Sequence, residues 1–408
     1  MKHAICKLTL PLLAAATIFG SCSSNDEPVI PLNPDQGSDQ TPGDEGPGEP
    51  EPPVVEWELL VAQDGTGDYT TVQAAIDALP NNGKPHIVYI KAGTYREKIT
   101  VRNHRNTVLV GEDAATTILS WDDSAGTIGP NGQELGTQNS ASLTISSTDF
   151  MAVNLTIENT HKNITGQGDQ AVAVGAYSDR AVFYNCRLVG YQDTFYAKSN
   201  GRVYCKDCYI EGNVDFIFGD AVLLCENCQL HCNRNESVLT AAADHSKSRF
   251  GFVFRNCSMT HVEGADFTGK EFKTFHLGRP WKAGAKVVFI RCNEPAALAA
   301  AGWRRMSEGV EAALFAEYRC SGNGAAADRL AQREMGGRQL TDEEAAEYTV
   351  ENIFAAACNP DKYETDWIPA EKVEITDSAR PLRYNPGYPV SSRPDIRYGY
   401  RTSISSIR

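Results

Sequence analysis

A short repeat recurs along the middle of this chain, and it constrains the fold more than any other feature. Each copy has Asn or Asp, then Cys, any residue and an aliphatic residue, and the copies begin at Asn185, Asp207, Asn227 and, less regularly, Asn256. Successive copies are 22, 20 and 29 residues apart, with short apolar stretches and no helical periodicity between them. A unit of about 20 residues built from strands and turns is typical of a parallel β-solenoid, whose coils stack on one another. We therefore predict an all-β fold of the parallel β-helix type.

Two aspartates occupy the same place in consecutive copies of the repeat. Asp193 lies eight residues after Asn185, and Asp215 lies eight residues after Asp207, whereas the third copy carries Asn235 at that offset. Equivalent positions on neighbouring coils are one strand spacing apart, roughly 4.8 Å. Two carboxylates this close do not ionise together, so one tends to hold a proton while the other stays an anion. Either residue alone would suit a solvated turn, but the matched offset favours a nucleophile paired with a general acid.

Aromatic residues lie next to both aspartates in the sequence: Tyr191, Phe195, Tyr196, Phe216 and Phe218. Aromatic faces beside polar groups are common where a sugar ring stacks. We therefore expect a carbohydrate-binding groove next to the two carboxylates.

The chain has 12 cysteines, and two Cys-x-x-Cys pairs beginning at Cys205 and Cys225 have the spacing of a structural zinc site. The repeat explains them better, because Cys186, Cys208 and Cys228 share one repeat position and Cys205 and Cys225 share another. We expect these side chains to stack inside the coils as small apolar groups, with no metal. Disulfides between stacked neighbours after export remain open, since strand-spaced Cα atoms lie within bridging range.

The first 56 residues differ in composition from the rest of the chain. Residues 1–21 hold Lys2 and Lys7, then an apolar run and small residues before Cys22, which is the pattern of a secretory signal peptide with a lipidated cysteine. Ordinary signal cleavage nearby is the alternative. Residues 22–56 are rich in Pro and Gly, with nine Asp or Glu and no Lys or Arg, so they are predicted to be a disordered tether. We therefore expect an exported lipoprotein of the outer membrane, on its periplasmic face or at the cell surface.

The charge of the chain argues against nucleic acid as a partner. Of the net charge of −14, residues 25–56 contribute −9 and residues 1–24 contribute +2, which leaves −7 for residues 57–408. An acidic body repels a polyanion but is compatible with a polymer whose acids are esterified. The lipid anchor is the one membrane contact that we expect.

Two helices are predicted outside the coils. One spans about 72–79, is capped by Thr70 or Thr71, and would cover the open N-terminal end of the solenoid. The other starts at the capping box Thr341–Glu344, runs to about Ala356, and would pack against the outside of the solenoid.

Strands are predicted for apolar, β-branched stretches that are broken by Gly, Asn and Asp, among them Phe150–Ile157 and Ala181–Leu188. Together with the two helices they would form one catalytic domain over residues 57–369. Residues 370–408 lack periodicity and are expected to be an irregular tail.

The chain resembles the pectin methylesterase family over roughly residues 59–369. Five motifs carry the resemblance, in the family's order: Gly65-Thr66-Gly67-Asp68-Tyr69-Thr70-Thr71-Val72-Gln73, Gln170-Ala171-Val172-Ala173, Tyr191-Gln192-Asp193-Thr194-Phe195-Tyr196, Val214-Asp215-Phe216-Ile217-Phe218-Gly219 and Leu277-Gly278-Arg279-Pro280-Trp281. The resemblance implies a right-handed parallel β-helix. It also implies hydrolysis of the galacturonate methyl esters of pectin to pectate and methanol.

The resemblance further implies roles for individual residues. Asp215 corresponds to the nucleophile that attacks the ester carbonyl, and Asp193 to the acid that protonates methanol and then the base that activates water. Arg279 corresponds to the residue that bonds the nucleophile, and such a cation should lower the pKa of the carboxylate. Gln170 and Gln192 match the amides that stabilise the oxyanion.

The same resemblance indicates the partners of the protein. Trp281, Tyr196 and Phe218 match positions that line the sugar groove, so the expected partner is methyl-esterified pectin. No metal or cofactor is implied, and we expect a monomer.

Other functions are compatible with parts of this pattern. A retaining glycosidase also uses two carboxylates about 5 Å apart, but it develops positive charge on the sugar, which amide donors do not stabilise. A calcium-dependent lyase would need a cluster of acidic ligands. A glycan-binding protein with a decayed site would not need the full set of catalytic residue types. An esterase or thioesterase of the same fold that acts on another substrate is the main alternative.

Overall fold

The computed structural model describes residues 58–103, 106–164, 168–359 and 366–369. These residues wind into a right-handed parallel β-helix, as the repeat and the resemblance predicted. The predicted signal peptide, Cys22, the tether and the irregular tail lie outside the described residues. Among the residues that are described, no helix is both long and apolar enough to cross a membrane.

Three parallel sheets run along the solenoid. In the described part of the chain, the long sheet has eleven strands: Leu59–Val61, His86–Ile90, Thr107–Gly111, Phe150–Val153, Ala181–Tyr184, Arg202–Lys206, Val222–Glu226, Phe252–Arg255, Lys286–Ile290, Leu314–Tyr318 and Arg338–Gln339. Over the same residues the cleft sheet has seven: Ile99–Val101, Leu143–Ile145, Val174–Ala176, Phe195–Ala197, Val214–Gly219, Ser237–Ala242 and Phe275–Pro280. The third sheet, within these described ranges, also has seven: Gly93–Arg96, Thr117–Trp121, Thr156–Asn159, Arg187–Val189, Tyr209–Gly212, Gln229–Cys232 and Ser258–His261.

Strand register confirms the spacing of the repeat. Arg187 pairs with Tyr209, Tyr209 with Gln229, and Gln229 with Ser258. These partners are 22, 20 and 29 residues apart, the same offsets that separate the copies of the repeat. Each copy is therefore one coil.

The Asn or Asp that opens each repeat forms the corner between the long sheet and the third sheet. A left-handed φ of 48° to 54° is found at each of them: Asn185, Asp207, Asn227 and Asn256. Asn and Asp tolerate this conformation better than other residues with a Cβ atom, because their short polar side chains can bond the local backbone. The repeat therefore marks a backbone requirement of the turn.

Two of the predicted strands are each divided by this corner. The stretch 181–188 is two strands, Ala181–Tyr184 and Arg187–Val189, and the stretch 150–157 is likewise divided, at Asn154. Asn154 has a φ of 54° and Asn185 a φ of 48°, which turns the chain from one sheet into the next. An apolar run in the sequence does not reveal such a turn, because residues on both sides of it are buried.

The cysteines stack inside the coils, as predicted. One column follows the corner residues from coil to coil: Cys186, Cys208, Cys228, Cys257, Cys292 and Cys320. Cys205 and Cys225 pair in neighbouring strands of the long sheet. All of these thiols are free, and all but Cys320 are buried in the main core. Disulfides between stacked neighbours after export are the alternative that the sequence left open.

The N-terminal helix spans Val72–Ala78 and buries Val72, Ala75 and Ile76 against the first coils, as predicted for a cap. Its first amides are not capped by Thr70 or Thr71. The carboxylate of Glu97 accepts hydrogen bonds from the backbone N–H groups of residues 72 and 73, at 2.8 and 3.0 Å. Because Glu97 is distant in sequence, local capping rules could not identify it.

The predicted C-terminal helix is two short helices, Asp342–Ala346 and Val350–Phe354. The capping box of Thr341 and Glu344 is present, but Thr349 caps a new helix start, so the chain turns between the two. The remaining described helices are Gly136–Asn139 and Ala327–Leu330, with 3-10 turns at Asn323–Ala325 and Ala356–Cys358.

The C-terminal helices pack on the outside of the long sheet, as predicted. The buried guanidinium of Arg202 donates to the carbonyl oxygen of Phe354 at 2.7 Å and to the carboxylate of Asp179, also at 2.7 Å. The ring of Phe354 packs on Tyr204 and Trp367, with centroids 6.1 and 4.9 Å apart. This packing leaves the face of the cleft sheet uncovered by the C-terminal helices.

Candidate active site

One cavity on the cleft sheet collects the predicted site residues. It has a volume of about 340 Å³ and is lined by eight of them: Gln170, Gln192, Asp193, Tyr196, Asp215, Phe218, Arg279 and Trp281. They come from segments up to 111 positions apart in the sequence. The stacking of coils brings them together, because each lies in or next to a strand of the cleft sheet.

The two aspartates lie on consecutive coils, as the repeat predicted. Phe195 pairs with Ile217 in the cleft sheet, and the backbone N–H of Asp193 donates to the carbonyl of Val214 at 3.0 Å. Asp193 and Asp215 both have left-handed backbones, with φ of 67° and 53°. Short polar residues adopt this conformation at low cost, so the coil can turn at the two positions that carry the carboxylates.

The matching position in the third coil is not Asn235. The register of the cleft sheet shifts after Val214, so that Val214 faces Val238 while Ile217 faces Thr240. Asn235 lies before this strand, where its side-chain oxygen accepts hydrogen bonds from the N–H groups of residues 273 and 274 at 2.8 and 3.1 Å. The longer turn of this coil therefore breaks the count of eight, and the stack of acidic positions ends at Asp215.

Burial raises the proton affinity of both carboxyl groups, and Arg279 separates them. Asp193 is 8% exposed, and its pKa is raised well above the usual range by burial first and by the charge of Asp215 second. Burial also raises the pKa of Asp215, but hydrogen bonds and charge from Arg279 oppose the rise. As predicted, Arg279 lowers the pKa of Asp215, but burial outweighs the cation and the net shift is upward. The pKa of Asp193 is raised well above its usual value, and Arg279 does less to oppose that rise, so the proton is favoured on Asp193 and the charge on Asp215.

Arg279 donates two parallel hydrogen bonds to the carboxylate of Asp215. Its Nε donates to Oδ1 at 2.8 Å and its Nη2 donates to Oδ2 at 2.6 Å. A bidentate, charge-assisted pair of this kind fixes the plane of the carboxylate as well as its charge. The contact therefore favours the ionised form of Asp215 and fixes its orientation in the cavity.

Three aromatic side chains form one wall of the cavity. Tyr196 and Phe218 stack with ring centroids 4.1 Å apart, and Trp281 is tilted against both at 6.3 and 6.1 Å. Tyr196 and Phe218 lie on neighbouring coils at paired positions. The stacking of coils therefore brings these two rings together, as it does the two aspartates.

The other predicted aromatic residues do not face the cavity. Phe195 and Phe216 are fully buried in the interior of the solenoid, because side chains alternate between the two faces of a strand. Tyr191 packs edge-on against Phe267, with centroids 5.0 Å apart, and does not line the cavity. Sequence proximity to the aspartates did not distinguish the inward residues from the outward ones.

Three further residues line the cavity: Thr137, Ala241 and Met306. Ala241 pairs with Phe218 on the next coil, so the repeat could have indicated it once the register was known. Thr137 lies in the helical turn Gly136–Asn139, and Met306 follows the last strand of the cleft sheet. The sequence around these two residues carries no pattern that points to the cavity.

The described residues hold no group of three or more His, Cys, Asp or Glu side chains that could bind a metal ion. The polar groups of the cavity are two carboxyl groups, one guanidinium, two primary amides, the hydroxyl groups of a threonine and a tyrosine, and one indole N–H. Such a set can supply a nucleophile, an acid and neutral hydrogen-bond donors. Acyl transfer uses this combination of groups.

Known proteins are similar to this chain in sequence and in fold. The profile of the family Pectinesterase matches residues 58–357. Pectinesterase 31 from Arabidopsis thaliana is 36% identical over 298 residues, which are 71% of this chain and 90% of that protein. The pectin methylesterase PemA from Erwinia chrysanthemi is 30% identical with a TM-score of 0.65, over 77% of this chain and 100% of that one. A pectin methylesterase solved in complex with a hexasaccharide is 29% identical with a TM-score of 0.64, over 76% of this chain and 99% of that one. The chain therefore belongs to the pectinesterase family and is a carboxylic ester hydrolase.

Proposed function

We propose that this protein hydrolyses the methyl esters of galacturonate in pectin, releasing methanol and leaving pectate. The observation that carries the proposal is the pairing of Asp193, whose pKa burial raises well above the usual range, with Asp215, whose carboxylate accepts two hydrogen bonds from Arg279, beside an aromatic wall. Membership of the pectinesterase family supports the same substrate.

In the first half of the proposed reaction, a carboxylate oxygen of Asp215 attacks the ester carbonyl carbon. The carbonyl oxygen gains negative charge, and the side-chain NH2 groups of Gln170 and Gln192 donate hydrogen bonds to it. The tetrahedral intermediate collapses as the bond to the methoxy oxygen breaks, and Asp193 gives its proton to that oxygen. Methanol leaves, and Asp215 is joined to the substrate as an acyl anhydride.

In the second half, Asp193 is a carboxylate and acts as a base. It takes a proton from water, the hydroxide oxygen attacks the acyl carbon, and the bond to Asp215 breaks. The products are the free galacturonate carboxyl group, an ionised Asp215 and a protonated Asp193. The site therefore returns to its starting protonation state without a metal or cofactor entering the cycle.

A neighbouring cavity supports a polymeric substrate. It has a volume of about 530 Å³ and shares Tyr196 and Trp281 with the site. Its charged lining residues are two lysines and two aspartates: Lys198, Lys282, Asp220 and Asp244. Because the two cavities share these aromatic residues, they are neighbours on the cleft sheet, and aromatic faces flanked by charges of both signs suit a polar sugar chain.

The direct test is methanol release by the purified protein from highly methylated pectin. We expect methanol to appear together with new carboxyl groups, while acetyl esters and acyl thioesters offered at the same concentration are cleaved far more slowly. If the protein cleaves the thioester or the acetyl ester and not the pectin methyl ester, the substrate proposal is wrong although the ester chemistry stands. Binding of pectin with no methanol would instead indicate a glycan-binding protein.

The separated pKa values predict a bell-shaped pH dependence of kcat/KM. Activity should rise with pH as Asp215 loses its proton and fall at higher pH as Asp193 loses the proton that methanol needs. Burial raises both pKa values, so both limbs should lie above the ordinary range of an aspartate, which is about 4. Initial rates of methanol release, corrected for saponification in enzyme-free samples, would show it. A rate that only climbs through the alkaline range would contradict the role of a protonated Asp193.

We further propose that the chain is a lipoprotein held in the outer membrane through Cys22 and an acidic tether of residues 22–56, and that it acts there as a monomer. The support is the sequence pattern, and the cavity is complete within one chain. Labelled palmitate should enter the wild-type protein and not a Cys22→Ala variant. Label in the variant would contradict the anchor, and protection of the catalytic domain from protease on intact cells would place it on the periplasmic face.

A further inference from the structure

A chain of buried side-chain amides leads from the nucleophile's strand to Gln192. The backbone N–H of Val214, next to Asp215, donates to Oδ1 of Asn213 at 2.7 Å. Nδ2 of Asn213 donates to Oδ1 of Asn163 at 3.0 Å. Nδ2 of Asn163 then donates to Oε1 of Gln192 at 3.4 Å.

The chemistry of the first link determines the direction of every amide in this chain. A backbone N–H can only donate, so the atom of Asn213 that faces it must be the oxygen. The nitrogen of Asn213 therefore faces Asn163, which must offer its oxygen in return. That leaves the nitrogen of Asn163 for Gln192, so the amide of Gln192 places its oxygen on Asn163 and keeps its NH2 group for the cavity.

A second branch holds Asn213 in the same orientation. Nδ2 of Asn213 also donates to Oδ1 of Asn233 at 3.1 Å. The nitrogen of Asn233 donates to the carbonyl of Gly190 at 2.9 Å and to the carboxylate of Glu211 at 3.0 Å, and both of these groups are acceptors. Since a reversed Asn233 would place its oxygen against two other oxygens, its orientation is settled independently.

Asn163 is itself held in place from two sides. It is 4% exposed, and its backbone carbonyl accepts from the guanidinium of Arg234 at 3.5 Å. The neighbouring Lys162 lies over the ring of Phe267, with its nitrogen 6.0 Å from the ring centroid. A buried asparagine with both ends of its amide engaged is suited to orienting another side chain.

We propose that Asn163 is a positioning residue that turns the amide nitrogen of Gln192 toward the developing oxyanion. The inference rests on the proposed function, because it assigns Asn163 a part in ester hydrolysis. A reversed Gln192 would present an oxygen to a negatively charged oxygen, which would raise the barrier that a correctly turned amide lowers.

The test is the isosteric change Asn163→Asp. The new carboxylate still accepts from Asn213 but cannot donate to Gln192, so the Gln192 amide reverses in order to donate to it. We expect kcat for methanol release to fall about 10²-fold, the size of losing one oxyanion donor, with KM within about twofold of wild type. Asn163→Ala, which removes the donor without adding charge, should lower kcat by a smaller factor in the same direction.

A double-mutant cycle separates positioning from a general effect of the new charge. In a Gln192→Ala background, Asn163→Asp should cause little further loss of kcat, because the amide that it misdirects is absent. If the losses of the two single variants multiply, Asn163 does not act through Gln192. A wild-type kcat in Asn163→Asp would also overturn the proposal.

A matched control is an amide pair at a coil corner, away from the cavity. Nδ2 of Asn185 donates to Oδ1 of Asn154 at 2.7 Å, in the same kind of amide pair and outside the lining of the cavity. Asn185→Asp should therefore leave kcat within about twofold of wild type, even if it lowers the thermal stability.

The orientation of the Gln192 amide can be measured directly, and this measurement tests the role of Asn163 independently of the proposed function. If wild type hydrolyses no ester, the proposed function fails, and neutron diffraction still decides the orientation. Deuterons of Gln192 that face the cavity in wild type and face residue 163 in Asn163→Asp would uphold the positioning. The same orientation in both proteins would overturn it.

Discussion

Asp215→Asn should abolish methanol release from pectin, with kcat lowered by about 10⁴-fold or more, the range seen when the nucleophile of a hydrolase is removed. The amide has the shape of the carboxylate and can still accept a hydrogen bond from Arg279. It lacks the negative charge that makes the oxygen a nucleophile, and no acyl intermediate can form on it. The residual rate would come from the oxyanion donors and from substrate positioning, which remain in place. Methanol release measured under saturating pectin would give this ratio.

A control for Asp215→Asn is available in the same coil. Asp207 is also an aspartate with a φ of 53°, and it forms the corner between the long sheet and the third sheet. Asp207→Asn makes the same chemical change at the same backbone conformation, and an asparagine occupies this corner in neighbouring coils. We expect it to retain wild-type activity. An active Asp215→Asn would show that Asp215 is not the nucleophile, and loss of activity in both variants would indicate a general effect of replacing an aspartate in this coil.

The repeat was the most informative feature of the sequence for predicting the fold and the site. It is informative because its Asn or Asp marks a position where the backbone must turn. Each Asn or Asp at the corner must accept a left-handed φ, so the corner residues could be recognised and the offsets between coils counted. That count placed Asp193 and Asp215 at matching positions on neighbouring coils, and the register of the strands agrees. The same register shows that Tyr196 and Phe218 also match, which the sequence analysis did not predict.

The predictions failed where the coil departs from its usual length or where side chains alternate. The turn before Ser237 is longer than the one in the preceding coil, so Val214 pairs with Val238 and Asn235 does not continue the acidic stack. Phe195 and Phe216 are conspicuous in the sequence but point inward, since alternation along a strand depends on a register that a single motif does not supply.

Contacts made at long range were beyond any local pattern. Glu97 caps the first helix from 25 residues away, and Asn163 reaches Gln192 across 29 residues. Nothing in the sequence near either residue distinguishes it from an ordinary surface position. These contacts form because stacked coils place residues that are far apart in the sequence next to one another. They can be identified only from the structure.

The second large effect is expected at Arg279. Its two hydrogen bonds to Asp215 favour the ionised carboxylate and fix its orientation, and without them the buried charge is left uncompensated. Arg279→Met should therefore lower kcat/KM by about 10²- to 10³-fold near the optimum of the wild type.

The pH dependence of the loss distinguishes this role from a general disruption of the site. Arg279 opposes the rise that burial causes in the pKa of Asp215, so without it that pKa rises further. Less of the nucleophile is then ionised at a given pH, and the acid limb of the profile should move to higher pH. Arg279→Lys keeps the charge but loses the two-pronged contact, so its acid limb should move less, although kcat still falls.

Arg180 provides the matched control for Arg279. It bonds Asp149 in the same two-pronged way, with Nε to Oδ1 at 2.7 Å and Nη2 to Oδ2 at 2.8 Å, and it does not line the cavity. Arg180→Met should lower stability while the pH profile stays where it is in wild type. If the acid limb of the profile does not move in Arg279→Met, the ionisation of Asp215 does not determine that limb. In that case the guanidinium does not keep the nucleophile ionised.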